Sequence, residues 1–552
     1  MKFFAKYRDV LTPQERKQRN KERLLALFSG VLLGISFPPF PFPFLIFFAL
    51  IPFFFAIEKR ESLAEINRIT YLTHFVFTLI TLYWVGSWTK EADPFLMISG
   101  VLLMFVNPAL YLIPTTLYYL TKKSLNKKAA LFLFPFFWSA FEYLYGLTDL
   151  RFPWLMLSNS LVYFNSFIQI ADIIGAPGLS LLVLFINIFL FLFMKNRKEE
   201  PRTNLKYVWI AALLFVVPLV YGIIRLNTYK LSDKKIKTGL VQPDLNPWDK
   251  WEAGNISAQL ELYLSLSRQA VKQKAEIIIW PESALPAYLL SDGYYDEVNR
   301  IHRFADTNNV FILTGMPDAT FFFNKEEAPP DAKFTKVSGT PYVSYNSILL
   351  FSPQSRHVQK YGKIKLVPFG ERVPFVDKLP FLGDLIKWQV GISSWNTGKE
   401  QTVFDLDRDH DLKIGGLVCI ESIYPDFTAG FVEKGANIIA VVTNDSWYGY
   451  SSGPFQHKEI STLRAVENRR MVLRAANGGV SCFIDPLGRT IEQTKLFTRD
   501  LLVSYAYIEN GLTFYSRHPL IIPLLSSIIS VIIILFFIYK RLTTRFTKNE
   551  TN

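Results

Sequence analysis

The chain has 552 residues, half of them hydrophobic, 16% aromatic with 49 Phe, and only 19% charged. A soluble globular chain carries nearer a quarter charged residues, so a purely cytosolic enzyme is disfavoured, and disorder or collagen-like repetition is excluded. The length is roughly three or four ordinary domains. Sixty Lys and Arg against 47 Asp and Glu give a net charge of +13. In a soluble protein that balance suggests nucleic acid; in a membrane protein it reports basic cytoplasmic loops. The basic residues sit between apolar segments, so the second reading holds and no nucleic-acid partner is expected. Two cysteines cannot build a disulfide framework. A single Cys419–Cys482 pair is conceivable but needs close Cα atoms that a sequence cannot show.

The N-terminus, Met1 to Arg23, is basic and has no small-residue cleavage site, so the first apolar stretch is expected to stay as an anchor. Leu24–Ile57 is apolar throughout but is broken by the proline cluster of Phe37–Pro43, which predicts a helical hairpin rather than one span. Further spans are expected near Thr70–Trp88, Leu96–Leu120, Ala129–Leu147, Leu179–Met194, Tyr207–Leu226 and Leu520–Tyr539, eight in all. Lys and Arg concentrate in Met1–Arg23, Glu58–Arg68, Thr121–Lys128, Lys195–Lys206 and the tail Lys540–Lys548. By the positive-inside rule this places both ends in the cytoplasm and the segment from about Asn227 to His518 outside. The expected organisation is a seven-helix membrane domain over 1–226, an extracytoplasmic domain over 227–518, and an eighth span with a basic tail over 519–552.

Within the outer segment, short β-rich runs alternate with helical patterns. Strands are expected at Ile236–Gln242, Glu276–Trp280, Val310–Gly315, Lys413–Cys419 and Asn437–Thr443, with more through Ile484. Tyr342–Phe351 and Val358–Tyr361 read as a hairpin. Helices are expected at Asn255–Lys274, around Asp296–Asp306, from Pro425 to just before Gly435, and at Phe455–Arg470. Such alternation argues an α/β domain with strands buried under helices.

Several residues in this domain can carry chemistry. Glu282 ends the apolar strand Ile277–Trp280, where desolvation raises a carboxylate's pKa and suits it to act as a base; read alone, it is more simply a glutamate emerging into solvent. Cys419 closes the apolar strand Ile414–Val418 just before a helix, a corner that exposes a nucleophile; a buried structural cysteine is an equal reading. Cys482 lies mid-strand and reads as structural. Lys363, among Lys360, Lys363 and Lys365, and Glu371 are ambiguous when read singly. No pair has metal-ligand spacing, the six His do not cluster, and no phosphate-cradling glycine loop occurs. Neither metal nor cofactor is therefore expected.

Taken together, Trp280-Pro281-Glu282, Tyr361-Gly362-Lys363 leading to Val367-Pro368-Phe369-Gly370-Glu371, and Cys419-Ile420-Glu421 resemble the Glu–Lys–Cys order of the nitrilase superfamily. With Thr443–Gly449, Gly453–His457, the outward Phe152–Leu155 and the flanking spans, the chain resembles the bacterial apolipoprotein N-acyltransferases. That resemblance implies an α-β-β-α sandwich standing on the outer face of the bacterial inner membrane. It implies Glu282 as general base, Lys363 as oxyanion-stabilising cation and Cys419 as nucleophile. Glu371 would orient Lys363, Glu421 matches an acidic residue after the nucleophile, and Ile420 stands where relatives often have tyrosine, keeping its backbone N–H. Trp251 matches a functional tryptophan, and the aromatic pairs Tyr163-Phe164 and Trp447-Tyr448 would line lipid entry. The implied partners are a phospholipid acyl donor and a diacylglyceryl apolipoprotein acceptor, linked by a thioester on Cys419. Two rival readings expect something else. A membrane-tethered amidase would use the same three residues with water as acceptor, and a catalytically inert transporter would use intramembrane Glu142 and His74.

Overall fold

The computed structural model describes residues 12–88, 94–197, 201–252, 256–291, 293–335, 337–376, 378, 395–406 and 412–549. The first helix, Pro13–Ile35, begins at a capping box in which Thr12 and Glu15 satisfy each other's backbone N–H groups, with Pro13 at the first helical position. The proline cluster then turns the chain back, as expected, but the returning arm is short: a single 3-10 turn, Pro43–Phe47, followed by the helix Ile51–Ile57. Asn187 holds this broken arm from across the bundle. Its Nδ2 donates to Ile46 O at 2.8 Å and its Oδ1 accepts from Leu50 N at 2.9 Å, which satisfies backbone groups that the break leaves free.

Five helical segments among the described residues are long and apolar enough to cross a membrane: Leu63–Gly86, Leu96–Ser124, Ala171–Asn196, Asn204–Thr228 and Ile521–Thr543. The expected count of eight also included the two arms of Leu24–Ile57 and the stretch Ala129–Leu147, which do not meet that measure. The returning arm is interrupted, and the third stretch lies in a 19-residue helix, Lys127–Tyr145, that carries Pro135 and Glu142. Glu142 and His74 are absorbed by local packing. Glu142 Oε1 accepts from Trp138 Nε1 and Leu157 N, both at 3.0 Å. His74 Nδ1 meets Thr70 O at 2.8 Å, and its ring stacks on Tyr111 at 4.1 Å.

After the helix Pro201–Thr228, two sheets pack face to face. The first has seven strands: β1 (Lys235–Gln242), β2 (Ile277–Trp280), β3 (Phe311–Phe321), β4 (Lys333–Phe334), β5 (Pro341–Phe351), β6 (Val358–Gly362) and β13 (Asp500–Tyr507). Its order is β13-β1-β2-β3-β5-β4, with β6 also on β5. The second has six strands: β7 (Val403–Asp405), β8 (Lys413–Val418), β9 (Ile438–Thr443), β10 (Met471–Ala476), β11 (Cys482–Ile484) and β12 (Thr490–Gln493). β1, β2 and β3 run parallel, as do β8, β9 and β10, with antiparallel strands at the flanks. Helices α1 (Ile256–Lys272) and α2 (Tyr295–Asn308) cover the first sheet, and α3 (Pro425–Glu433) and α4 (Ser452–Asn468) cover the second. The result is the expected four-layer α-β-β-α arrangement. The parallel strands read as unbroken apolar runs because both of their faces are buried. Gly435, expected to stop α3, has φ +97°, a conformation that favours glycine. The hairpin β5–β6 forms in the expected place, and β3 extends beyond the expected Gly315 to Phe321 along β5.

Helix α4 is the seam between sandwich and helical region. Gln456 Oε1 accepts from Trp154 Nε1 at 2.8 Å and Trp84 Nε1 at 3.1 Å, while its Nε2 donates to Pro38 O at 2.9 Å. Just past α4, Arg469 donates to Asp172 Oδ2 from Nη2 at 2.8 Å and to Gln169 Oε1 from Nη1 at 2.6 Å, with both ion-pair partners buried. Asp172 also lies 3.4 Å from Arg225 Nη2 and accepts from Tyr221 OH, so removing Arg469 takes one of two cations from it and strands the acceptor of Gln169. Arg469→Ala is therefore expected to lower stability by about 1–3 kcal/mol, read as a lower thermal unfolding midpoint of the purified protein in detergent.

Candidate active site

Glu282 follows β2, whose four residues are all buried. The chain turns sharply there: Ser283 has φ +49°, and Ala284 N donates to Gly315 O at 2.7 Å. Gly315 on β3 allows the close approach, since a Cβ at that position would lie 2.6 Å from Glu282 Cα. Lys363 follows β6, with its N–H donating to Asn346 O and its carbonyl accepting from Gly398 N, each at 2.8 Å. Its side chain is 1% exposed. Nζ donates to Glu371 Oε1 at 2.8 Å, also lies 2.8 Å from Glu371 Oε2, and stands 3.7 Å from Glu282 Oε1. Asn346 Nδ2 bridges the two carboxylates, donating to Glu282 Oε1 at 2.7 Å and Glu371 Oε1 at 2.8 Å. Glu371 Oε2 also accepts from Val367 N at 2.8 Å, which closes its own loop.

Cys419 sits at the corner between β8 and a 3-10 turn, Cys419–Ile423, with φ +52°. A left-handed backbone at a residue with a Cβ is held only by its surroundings. Glu421 supplies much of that hold. Its Oε2 accepts from Val418 N at 2.9 Å, and its Oε1 accepts from Tyr361 OH at 2.7 Å, Ile364 N at 2.7 Å and Lys365 N at 3.0 Å. One buried carboxylate thus ties the Cys419 corner to the segment that carries Lys363. From the other side, Cys419 O accepts from Ser422 Oγ at 2.9 Å and lies 3.1 Å from His457 Nε2. His457 Nδ1 is 2.8 Å from Asp445 Oδ1, and Arg474 Nη2 donates to Asp445 Oδ2 at 2.6 Å.

Glu282, Lys363, Cys419, Glu371, Trp447 and Tyr448 line one cavity of about 120 Å³, together with Asn346 and Trp248. Leu96, from the helical region, lines it too, and Tyr448 packs edge-on against Trp84 at 4.7 Å, so the cleft abuts the apolar helices. Ile420 is buried in the core below. Glu421 stands behind the site rather than in it. The side chain of Trp251 lies outside the described residues; Trp248, on the same segment, meets Trp447 edge-on at 4.8 Å. Tyr163 and Phe164 do not line this cavity.

Burial governs the electrostatics. It raises Glu282 above the ordinary carboxyl range, with the Glu371 carboxylate adding to the rise and Lys363 and the Asn346 hydrogen bond opposing it. Burial also raises the Cys419 thiol, as does the Glu282 carboxylate, while Lys363 draws it down. For Lys363, burial disfavours the charge, but Glu371 and then Glu282 more than offset it and hold the ammonium above its usual range. Asp445 is likewise buried, yet Arg474 and His457 keep it well below the usual carboxylate range. The site at rest is a thiol beside a basic carboxylate and a fixed cation.

Both cysteines are free thiols. Spacing along the chain gave no metal set, yet folding brings donor atoms of Cys419, Asp445 and His457 within 4.8 Å of one another. Those of Asp445 and His457 are already taken up by Arg474, Thr443, Ser422 and the Cys419 carbonyl, so the arrangement serves as a brace for the corner. Asn346, Asp445, His457 and Arg474 were missed as contributors by sequence reading. Asp445 and His457 fall in the runs that carried the family resemblance. Asn346 lies within β5 and Arg474 within β10, where a polar residue gives no sign of what it faces.

Two family models match the chain: Carbon-nitrogen hydrolase over residues 237–513, and Apolipoprotein N-acyltransferase N-terminal domain over residues 29–189. An apolipoprotein N-acyltransferase from Chlorobaculum tepidum is 35% identical over 515 residues, covering 91% of this chain and 94% of the relative. One from Geobacter metallireducens is 30% identical, covering 93% and 94%. Among solved structures, an amidase from Nesterenkonia sp. aligns with 52% of this chain and 94% of its own, at 15% identity and a TM-score of 0.36.

Glu421 offers a direct test of how the corner is held. Glu421→Leu leaves four donors without an acceptor, and an unsatisfied buried donor costs about 1–3 kcal/mol. Thermal unfolding is expected to rank wild type above Glu421→Gln, which keeps one acceptor oxygen, and Glu421→Gln above Glu421→Leu.

Proposed function

The chain belongs to the apolipoprotein N-acyltransferase family, and from that premise we propose how its own residues carry out the transfer. The observation that carries the proposal is that Glu282, Lys363 and Cys419, brought from three strand ends, line one cavity that also reaches the apolar helices. Cys419 Sγ attacks an ester carbonyl of a phospholipid while its proton passes to Glu282. Lys363 stabilises the anionic tetrahedral intermediate, together with the Ile420 backbone N–H. The ester C–O bond breaks, Glu282 returns the proton to the departing alkoxide, and a lysophospholipid leaves behind an acyl thioester. The α-amino group of a diacylglyceryl-cysteine N-terminus then attacks the thioester. Glu282 accepts its proton, the C–S bond breaks, and the thiol is restored as the amide departs. Ester plus amine has become alcohol plus amide, with no group consumed.

The pKa directions suit these steps. A thiol raised by burial gives up its proton only to a base whose own affinity is raised, and burial raises Glu282. Glu371 meets the Lys363 ammonium with both oxygens, so that it stays charged and fixed. Trp447 and Tyr448 shield the thioester from water, and Trp251 contacts the acceptor on the adjoining segment. Both substrates are lipids, which accounts for a sandwich seated on a multi-pass helical region; a small-amide hydrolase has no need of one. We place the sandwich on the periplasmic side of the inner membrane, with the arms of Leu24–Ile57 and Lys127–Tyr145 completing eight spans around 1–226 and 519–552. The alternation of basic loops supports that topology.

Incubation of the purified protein with phospholipid alone is expected to add the mass of one acyl chain, absent in Cys419→Ala. A diacylglyceryl-cysteine peptide should then discharge it as N-acyl product. An adduct discharged only by water makes the protein a lipid hydrolase, and no adduct on folded protein overturns the proposal. The pH dependence gives a second check. Glu282 must be ionised to act, so thioester formation should rise with pH along a limb above the ordinary carboxyl range. The Asn346 hydrogen bond favours the carboxylate, so Asn346→Leu raises the pKa further and moves that limb to higher pH.

A further inference from the structure

The helix Leu63–Leu82 runs toward the catalytic cavity at one end, where Trp84 packs on Tyr448. Its other end carries a second cavity, of about 210 Å³, which shares no lining residue with the first. Arg19, Glu22 and Arg23 line it from the helix Pro13–Ile35, Glu65, Arg68 and Leu72 from the helix Leu63–Leu82, and Arg60 from the link before it. Further along, the same two helices touch closely: a Cβ on Gly30 would lie 2.4 Å from Thr73 O, and one on Gly34 would lie 2.7 Å from Ile80 Cβ. Two turns before that contact, their side chains stand around open space.

Four arginines face this space with two carboxylates, an excess of two positive charges. Both carboxylates are already occupied. Glu22 accepts from Arg60 Nη2 and, at 2.7 Å, from Gln18 Nε2, and Glu65 Oε1 accepts from Arg60 Nη1 at 3.1 Å. Glu15, one turn before Arg19, closes the capping box at Thr12. Among the described residues, no hydrogen bond or ion pair reaches the guanidiniums of Arg19, Arg23 and Arg68. Three like charges gathered around one space with their donors free describe a site for an anion. The residue type says which anion. Lys17, Lys21 and Lys59 lie on the same segments and do not line the cavity; every cation that does is an arginine. A basic loop that only orients a membrane protein works equally well with lysine, whereas the planar fork of arginine matches the paired oxygens of a phosphate.

Beyond the arginines the groove is apolar. On the first helix Arg19, Arg23, Leu27 and Val31 follow one another at intervals of four and so form one stripe. On the second, Arg68, Leu72 and Leu79 form another, and Leu27, Val31 and Leu79 are exposed. A phosphate held by the arginines has its ester substituents lying along these stripes, which suits acyl chains and not a free ion. We infer that this cavity binds the phosphodiester of an anionic phospholipid of the cytoplasmic leaflet, with its chains along Leu27, Val31, Leu72 and Leu79. The inference rests on the topology proposed above, which puts this end of both helices on the cytoplasmic side. The lipid supplies the counter-charge that three guanidiniums lack and joins the two helices at the end opposite the catalytic cavity. A zwitterionic lipid brings an ammonium to the same excess of positive charge, so the site selects a net negative headgroup.

The test uses full-length protein in nanodiscs of zwitterionic phospholipid that contain a trace of phosphatidylglycerol with a diazirine near the top of one acyl chain. Adducts are mapped by peptide mass spectrometry, and thioester on Cys419 is measured in a parallel sample. Adducts are expected within Arg19–Val31 and Arg68–Leu79. Unlabelled phosphatidylglycerol should compete at least about tenfold better than phosphatidylethanolamine, and inorganic phosphate should not compete. Arg23→Gln combined with Arg68→Gln should lower these adducts about tenfold or more. Lys17→Gln combined with Lys21→Gln removes the same charge beside the cavity and should leave them within about twofold, since solvated charges outside the site are screened. Thioester formation in both double variants shows that they fold. Equal losses in the two double variants, equal competition by phosphatidylethanolamine, competition by inorganic phosphate, or no adduct in these segments overturns the proposal. Lys17→Cys, in a Cys419→Ala chain, is expected to react with a membrane-impermeant maleimide only after spheroplasts are opened; reaction in intact spheroplasts overturns the leaflet. A thioester without these adducts removes this site alone, and these adducts without a thioester remove the catalytic reading and leave the site.

Discussion

Burying the ammonium of Lys363 is the constraint on which the active-site architecture depends. A lone buried charge costs several kcal/mol, and an ion pair recovers that only where its geometry and its remaining hydrogen bonds are complete. Glu371 meets the ammonium with both oxygens, Glu282 stands at 3.7 Å, and Asn346 joins the two carboxylates from behind. Burial is the largest cause that raises Glu282, with Glu371 adding to the rise and Lys363 opposing it. Cys419 lines the same cavity as Glu282, Lys363 and Glu371. Four strands are committed to this point: β2 ends into Glu282, β6 into Lys363 and β8 into Cys419, and β5 carries Asn346.

The second constraint is the junction between sandwich and helices. Here α4 adds its apolar residues Ile460, Leu463 and Val466 to a core continuous with the helical region, and buried polar groups add directed bonds: Gln456 to two tryptophan N–H groups, Arg469 to Asp172, and Glu467 to Ala176 N at 2.7 Å. Directed bonds of this kind set orientation where apolar packing alone would permit sliding. His457 lies on the same helix, one residue from Gln456, and braces the Cys419 carbonyl. The element that seats the domain on the helices thus also braces the Cys419 corner.

Much of this was legible in the sequence, and for physical reasons. Parallel strands buried on both faces are continuous apolar runs, so β2, β8 and β9 announce themselves and a charged or nucleophilic residue at the end of one stands out. Glu282 and Cys419 were found that way, though each kept an ordinary reading until the order of motifs was considered. Lys363 could not be separated from Lys360 and Lys365 by spacing, because only the fold shows that Lys360 meets Asp318 at 3.0 Å, Lys365 points to a different cavity, and Lys363 is buried. Asn346 was invisible for a similar reason: alternation along β5 gives its face but not the two carboxylates it bridges. The membrane part was harder still. Hydropathy located the apolar stretches, but it does not report where a helix breaks, and the returning arm of Leu24–Ile57 breaks between Phe47 and Ile51, where Asn187, far along the chain, and Ser29 satisfy its backbone groups.

The central claim is that Lys363 is the shared partner through which Glu371 acts, and a double-mutant cycle on thioester formation tests it most directly. Rapid-quench rates for wild type, Lys363→Met, Glu371→Gln and the double variant would be compared, with folding of each checked by thermal unfolding. Residues that act as a unit are not additive. The account predicts that the double variant is no slower than Lys363→Met alone. Independent, multiplying losses would show that Glu371 works on the reaction by a route that does not pass through Lys363, and would contradict it.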